Sequence, residues 1–470
     1  MVKKITRREM LRMLGAGAGA TLLAACQPKT VVVEKEKVVT QVVKETVVVE
    51  GESKEVTRVV EKVVTAAPPP KPEGDFNVWF FGSWQQETNI AFGEVFHDWG
   101  EQANVDVDFQ VVQTGLGEKV SATLAAGDPP EVHTASPAYW HKLDEALDLS
   151  PLFDVIQDQG GGLFDICVKG MTFDGKQYGA NYGIDTWPMH VRTDLFEKVG
   201  GYPDTWDKFN EVAPQVQDPP KLHAFGAPLG VGDSDHMNTM MSVIWSFGGR
   251  LCDEEGAPDL ASEGTAEALQ MLAYQFNDLK IIPPDTLAST TSAWNNEAYQ
   301  SKRVACAINA TSIYAWVSAN DPELLAVTSL EAPPGGPAGR FGLATVGSTW
   351  TALKKAKLAD YAVDALEYFF EPQRYYDTIA AVKGRWVPVY KEFTQTDEFW
   401  QDPTWAGLIK LAEGARTLTY PMAEVAWRGS FTSQAVLADA VGKVIKGDLS
   451  AEDAVEQAQE QAMEIYQEFA

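Results

Sequence analysis

The sequence predicts an α/β protein of more than one domain, and three observations carry that expectation. The chain has 470 residues, more than a single hydrophobic core organises, so two or three domains are the default. From Phe76 onward, short β-rich runs alternate with stretches of helical periodicity, the pattern of α/β architectures. In residues 174–198, DGKQYGANYGIDTWPMHVRTDLFEK, two strand-like halves flank Gly183-Ile184-Asp185-Thr186-Trp187-Pro188. Glycine and proline there argue for a bend or a change of sheet. An acid beside an indole at such a bend is placed to meet a polar ligand. We expect the chain to cross here from one lobe to another, next to a cleft.

Taken in order, FNVWFFG (76–82) is a first buried strand, and the polar loop Ser83-Trp84-Gln85-Gln86-Glu87 follows it. Residues 88–102 put Ile90, Phe92, Val95, Phe96 and Trp99 on the apolar side of a helix. VDVDFQVV (105–112) alternates as a second strand. A helix, a turn at Gly127-Asp128-Pro129-Pro130, a strand, a loop at 136–139 and a further helix come next. Ligands of open α/β sheets sit beyond the carboxyl ends of strands. Position alone therefore makes Trp84, Gln85 and Tyr139 cleft candidates.

The N-terminal 75 residues have a different character. A basic start (Lys3, Lys4, Arg7, Arg8, Arg12) precedes the small apolar run LGAGAGATLLAA and Cys26. That run is too short to span a bilayer and has the build of a secretory signal. Thr6-Arg7-Arg8-Glu9-Met10-Leu11-Arg12 resembles a twin-arginine export signal. Leu23-Ala24-Ala25-Cys26 resembles a bacterial lipobox, which implies cleavage before Cys26, lipidation of its thiol and anchoring at the outer face of the membrane. Residues 27–75 repeat Val-Val among Glu, Lys and Thr and end in a proline run. The β-branched content resists a lone helix, and the prolines make a semi-rigid spacer. The expectation is a stalk, with a coiled coil as the alternative although no heptad is kept.

The formal net charge of −28 speaks against nucleic-acid binding, which needs clustered Lys and Arg. The four cysteines have no CxxC spacing and the six histidines no HExxH spacing, so neither a zinc knuckle nor a zinc hydrolase is expected, and no cofactor is. With Cys26 acylated, Cys167, Cys252 and Cys306 can form at most one disulfide, and the sequence does not choose the pair.

AAGDPPEV, DLSPL, DGKQYGANYGIDTWPMHVRTDLFEK and YPDTWDKFNEVA occur in this order. FGGRLCDEEGAPDLASEGTAEALQML, VACAINATSIYAWV, GLATVGSTWTALKKAKLADYAVDALEYF and GDLSAEDAVEQAQEQAMEIY follow. The ordered set resembles the extracellular solute-binding proteins of carbohydrate ABC importers, the broad family containing maltose-binding protein. The resemblance covers essentially all of 76–470. It implies a two-lobed periplasmic-binding-protein fold of type II, closing by hinge motion on a sugar, and an ABC permease as partner of a monomeric receptor. It places 76–182 and 347–388 in an N-terminal lobe, and 183–346 and 389–470 in a C-terminal lobe. The crossings would fall near 181–185, 341–347 and 387–390.

A sugar pocket wants aromatic planes for the C–H faces and hydrogen-bonding side chains for the hydroxyls. The resemblance aligns Asp185 with a sugar-binding acid, with Trp187 two residues on. GVGDSDHMN (230–238) falls where the family places a ligand loop, offering His236 and Asn238 beside Asp233 and Asp235. The same cluster could hold a metal, or could be a solvated helix start with a capping residue. Asn309, Ser312 and Tyr314 lie on the turn after VACAIN, with Ser312 where the family often has tryptophan. Trp350, Trp386 and Trp427 are expected as stacking platforms and Arg385 as a hydroxyl donor. Trp79, Trp99, Trp206 and Trp316 are expected in the core, and DEEGAP (253–258) as a hairpin tip. A non-catalytic sugar receptor is the function these residues favour. The alternatives are a receptor for a quaternary amine or another small polar solute, and a surface glycosidase, which would need two carboxylates such as Asp185 and Asp235.

Overall fold

The computed structural model describes residues 37–49, 52–64, 71–82, 85–291, 293–345, 348–414, 416–422 and 424–469. The expected export signal, Cys26, Trp84 and residues 65–70 lie outside them. The chain divides into two compact units, Met1–Ala67 and Pro68–Ala470. In the first, Lys37–Val49 pairs antiparallel with Glu52–Val64, in register from Lys37 opposite Val64 to Val49 opposite Glu52. The valine-rich repeat is thus a hairpin rather than a coiled coil, in keeping with the strand preference of β-branched residues. Among the described residues no helix is long and apolar enough to cross a membrane.

The second unit is built on two sheets. The larger runs in the spatial order Asp106–Val112, Asp75–Phe81, Val132–Thr134, Thr349–Ala352, Ala180–Asn181. Its first three strands are parallel, and Thr349–Ala352 is antiparallel to both neighbours. Helix Gln86–Ala103 covers it through Phe92, Val95, Phe96 and Trp99, an i, i+3, i+4, i+7 stripe. Ile90, expected on that stripe, faces solvent. The smaller sheet runs His223–Gly226, Val304–Ile308, Met189–Arg192, Thr328–Glu331. Its helices start on capping side chains: Thr205 accepts from the Lys208 N–H ahead of Trp206–Val212, and Ser262 from the Thr265 N–H ahead of Glu263–Asn277. The C-terminal helix Ala451–Phe469 completes this half.

Between the sheets, Asp185–Thr186 pairs antiparallel with Ala344–Thr345, and Ile184 forms a bridge with Val387. Three chain segments therefore run side by side; those at Ile184–Trp187 and Leu343–Ala344 pass from one core to the other, and the third, at Val387, stays in the first. The expected return to the second lobe at residue 389 needs correction. Val389, Tyr390, Phe393, Trp400, Trp405, Leu408 and Ala412 all pack into the first core. The reason is aromatic packing: Phe393 stacks on Tyr376 at 4.1 Å and Tyr390 meets Tyr375 edge-on at 5.2 Å. The chain rejoins the second core at Leu418, Val425 and Trp427. Cys167, Cys252 and Cys306 are all free and buried, so none of the possible disulfides forms.

Candidate functional site

Asp185 sits at the centre of the crossing. One carboxylate oxygen is ion-paired with Arg385 Nη1. The other accepts from Ser348 Oγ at 2.6 Å and Trp386 Nε1 at 3.2 Å, and Trp386 Nε1 also lies 2.9 Å from Ser348 Oγ. The Arg385 guanidinium lies 4.6 Å from the Trp386 ring centroid. Each crossing segment thus supplies one part of the cluster. Gly183 makes room for it, since a Cβ there would fall 2.5 Å from Trp386 Cγ. A carboxylate offers about four lone-pair sites, and protein donors already occupy three of them. Asp185, expected as a ligand acceptor, is first of all the staple of the hinge.

The second cluster stands at the mouth of helix His236–Ser246. The preceding loop packs tightly on its neighbour: a Cβ at Gly230 would lie 2.6 Å from the Ser289 carbonyl oxygen. Asp233 is fully buried, its carboxylate accepting from the Asp235 N–H at 3.0 Å and from Ser289 Oγ at 3.0 Å. His236 Nδ1 bonds the Asp233 carbonyl oxygen. A carbonyl only accepts, so Nδ1 carries the proton, and burial lowers the imidazole pKa and keeps it neutral. Asp235 Oδ2 receives Asn295 Nδ2 at 3.4 Å and Asn309 Nδ2 at 3.5 Å, both long. Burial, reinforced by the Asp233 charge, pushes the Asp235 pKa up to about 8. Three buried side-chain atoms of this segment have no protein partner among the described residues: His236 Nε2, Asn238 Oδ1 and Thr239 Oγ1.

Two contacts join the clusters. Thr311 Oγ1 donates to the Arg385 carbonyl at 2.8 Å, and the Asn309 N–H to the Pro188 carbonyl at 3.3 Å. Ser312 Oγ then reaches Asn296 Oδ1 at 3.1 Å and Asn309 Oδ1 at 3.4 Å. Asp185, Arg385, Trp386, Asn309, Ser312, His236 and Asn238 therefore lie along one polar band.

Other expected residues lie elsewhere. Trp350 is 0% exposed at the heart of the first core, and Trp427 is 2% exposed with its indole N–H on the Gly256 carbonyl at 2.8 Å. Neither face is open for stacking. Trp187 is buried in the second core, and Trp386 is packed between Tyr182 and Phe92. Tyr314 is held edge-on by Trp405 at 4.9 Å. Gln85 occupies the start of helix Gln86–Ala103, away from the two clusters in sequence but on the element whose Phe92 touches Trp386. Tyr139 is 38% exposed and meets Trp140 and, at 6.3 Å, Phe469 of the C-terminal helix. Trp79, Trp99 and Trp206 are core residues, whereas Trp316 is 40% exposed. DEEGAP is a tight turn, with Asp253 N–H on the Ala257 carbonyl and Glu254 and Glu255 solvated.

The model of the bacterial extracellular solute-binding proteins matches residues 95–466. The chain belongs to that family. A binding protein of Brucella abortus (strain 2308) is 22% identical over 344 residues, covering 71% of this chain and 79% of its own length. Among solved structures, a sugar transporter from Arthrobacter chlorophenolicus with bound laminaribiose superposes at a TM-score of 0.71, with 17% identity over 83% of this chain and 99% of that one. A solute-binding protein from Thermotoga lettingae bound with α-D-tagatose gives 0.69, with 16% identity over 83% and 99%. Maltose-bound MalE3 of T. maritima gives 0.68, with 18% identity over 82% and 98%. The solute-binding protein thus has the two-lobed fold of these receptors.

For this solute-binding protein, sequence reasoning missed Ser348, Thr311, Asn295 and Asn296. Ser348 follows the second crossing directly, and its position after VG in VGST was the available cue. Asn295-Asn296 open the short helix Trp294–Gln300, where polar residues commonly serve the backbone instead of a ligand.

Proposed function

We propose that the protein is an exported, lipid-anchored, non-catalytic receptor that binds a sugar in the cleft between its lobes and delivers it to an ABC import permease. The observation that carries this reading is the polar band running from the hinge to the mouth of helix His236–Ser246. Buried hydrogen-bonding atoms cost free energy until they are partnered, and Asn238 Oδ1, Thr239 Oγ1 and His236 Nε2 await partners. A polyhydroxylated ligand supplies them in number. The sugars bound by the structural relatives support the same class. Asp185 and Arg385 would act mainly on closure, and Asn309, Ser312, His236 and Asn238 on recognition.

Calorimetry and thermal shift over mono- and oligosaccharides test the reading, because a tight ligand raises the melting temperature by mass action. Binding of a sugar together with compaction in solution scattering is expected. Silence across the whole panel would reject it. Lipidation at Cys26, through a lipobox and a twin-arginine signal, predicts incorporation of labelled fatty acid that Cys26→Ala abolishes. Pull-down of a permease complex from the cognate membrane tests delivery, and the receptor itself is expected to be monomeric.

A further inference from the structure

The hydrogen-bond inventory at the mouth of helix His236–Ser246 is one-sided. Asp235, Asn238 and Thr239 stand at i, i+3 and i+4, on one face of that helix. Asn238 Oδ1 and Thr239 Oγ1 are buried without a protein partner among the described residues, and Thr239 is fully buried. The donors nearby are already spent. Asn295 Nδ2 serves Asp235 and the Ile308 carbonyl, Asn296 Nδ2 serves Asn295 Oδ1, and Ser312 serves Asn296 and Asn309. What remains unfilled is the Asn238 Oδ1 and His236 Nε2 acceptors and the Thr239 hydroxyl, which can accept as well as donate.

Charge is one-sided too. Among the described residues no basic side chain pairs with Asp233 or Asp235, and Arg385, on the adjoining crossing, is committed to Asp185. His236 is held neutral by burial and offers no countercharge. Two neighbouring carboxyl groups whose partners are only neutral amides and the Ser289 hydroxyl are stabilised further either by a retained proton or by a cation. The high proton affinity of Asp235 is the proton form of that demand. An ammonium brings three N–H donors and a positive charge, whereas a neutral hydroxyl brings one donor and no charge, and its lone pairs need donors of their own.

We propose that this helix mouth takes the protonated amine of a basic sugar, with Asp235, Asn238 and Thr239 as its acceptors. The inference rests on the sugar-receptor reading and narrows the ligand to amine-bearing saccharides. The test is calorimetry at neutral pH with glucosamine and chitosan disaccharide, against glucose, cellobiose and N,N′-diacetylchitobiose. A preference of about tenfold or more for the amine-bearing member of each set is expected from a charge-assisted bond. Asp235→Asn should remove that preference, read as the ratio of the affinities for the amine-bearing and the neutral member of each set. Thr239→Val, an isosteric change, should weaken amine binding several-fold in a protein whose circular dichroism is unchanged. Equal affinity for basic and neutral sugars overturns the inference and leaves the receptor reading in place. Failure to bind either kind overturns both.

Discussion

Asp185 and Asp235 are the same side chain in two clusters that share one polar band, and they are handled in opposite ways. Asp185 has a guanidinium and an indole N–H from one neighbouring segment and a hydroxyl from another. Asp235 has two long amide contacts and a second acid for a neighbour. The first carboxylate is compensated within the protein and fixes three chain segments relative to one another. The second is left with a deficit that something else must fill. A residue's type does not say whether it holds the fold or waits for a ligand; the state of its partners does.

The largest expected effect breaks the satisfied side. Arg385→Ala leaves the Asp185 charge buried beside the hinge, and removal of one partner of a buried pair costs about 3–5 kcal/mol. Chemical denaturation should show that loss, and a variant as stable as the parent would deny the staple. Trp350→Ala separates core from platform. Its cavity should cost about 3–5 kcal/mol, with ligand affinity in the folded protein unchanged by calorimetry. A selective loss of affinity would return Trp350 to the cleft.

Asp235→Asn sharpens the unsatisfied side through pH. An acid whose folded pKa is raised holds its proton in the native state after the unfolded chain has released it. Between the ordinary carboxyl range and about pH 8, stability therefore falls as pH rises. Asp233, itself raised by burial, and neutral His236 are the titrating groups that face it. The variant should lose part of this slope, being more stable than the parent at pH 8 and converging with it near pH 4. Parallel curves would contradict the raised pKa. The smallest effect is expected at Tyr139, whose edge contact with Phe469 is an aromatic pair contributing about 0.5–1.5 kcal/mol. Tyr139→Ala should shift melting slightly and leave sugar affinity intact.

These clusters also mark how far the sequence could be read. The alternation from Phe76 onward made the two sheets legible, and the bend at Gly183–Pro188 located Asp185. Its role was not legible, because Ser348 and Arg385 lie 163 and 200 residues away along the chain. The tryptophans failed for a related reason. An indole that packs and an indole that stacks on a ligand look alike in sequence, and the neighbours that bury Trp350, such as Phe96 and Phe369, come from distant helices. Trp316 erred the other way: the run IYAWV is apolar on every side, so its periodicity named no buried face. Residues from Val389 to Ala412, which the resemblance placed in the second lobe, pack into the first core through aromatic contacts with distant residues.

The buried cysteines carry a practical consequence. Cys167 lies in the first core, and Cys252 and Cys306 in the second. Their thiols bond Asn181, Thr419 and Ala224 oxygens, and burial raises the pKa of each. Since the thiolate is the reactive form, none should react while its own half stays folded. Each half therefore has a built-in chemical clock: modification at Cys167 times the opening of one core, and modification at Cys252 and Cys306 times the other, with no label introduced.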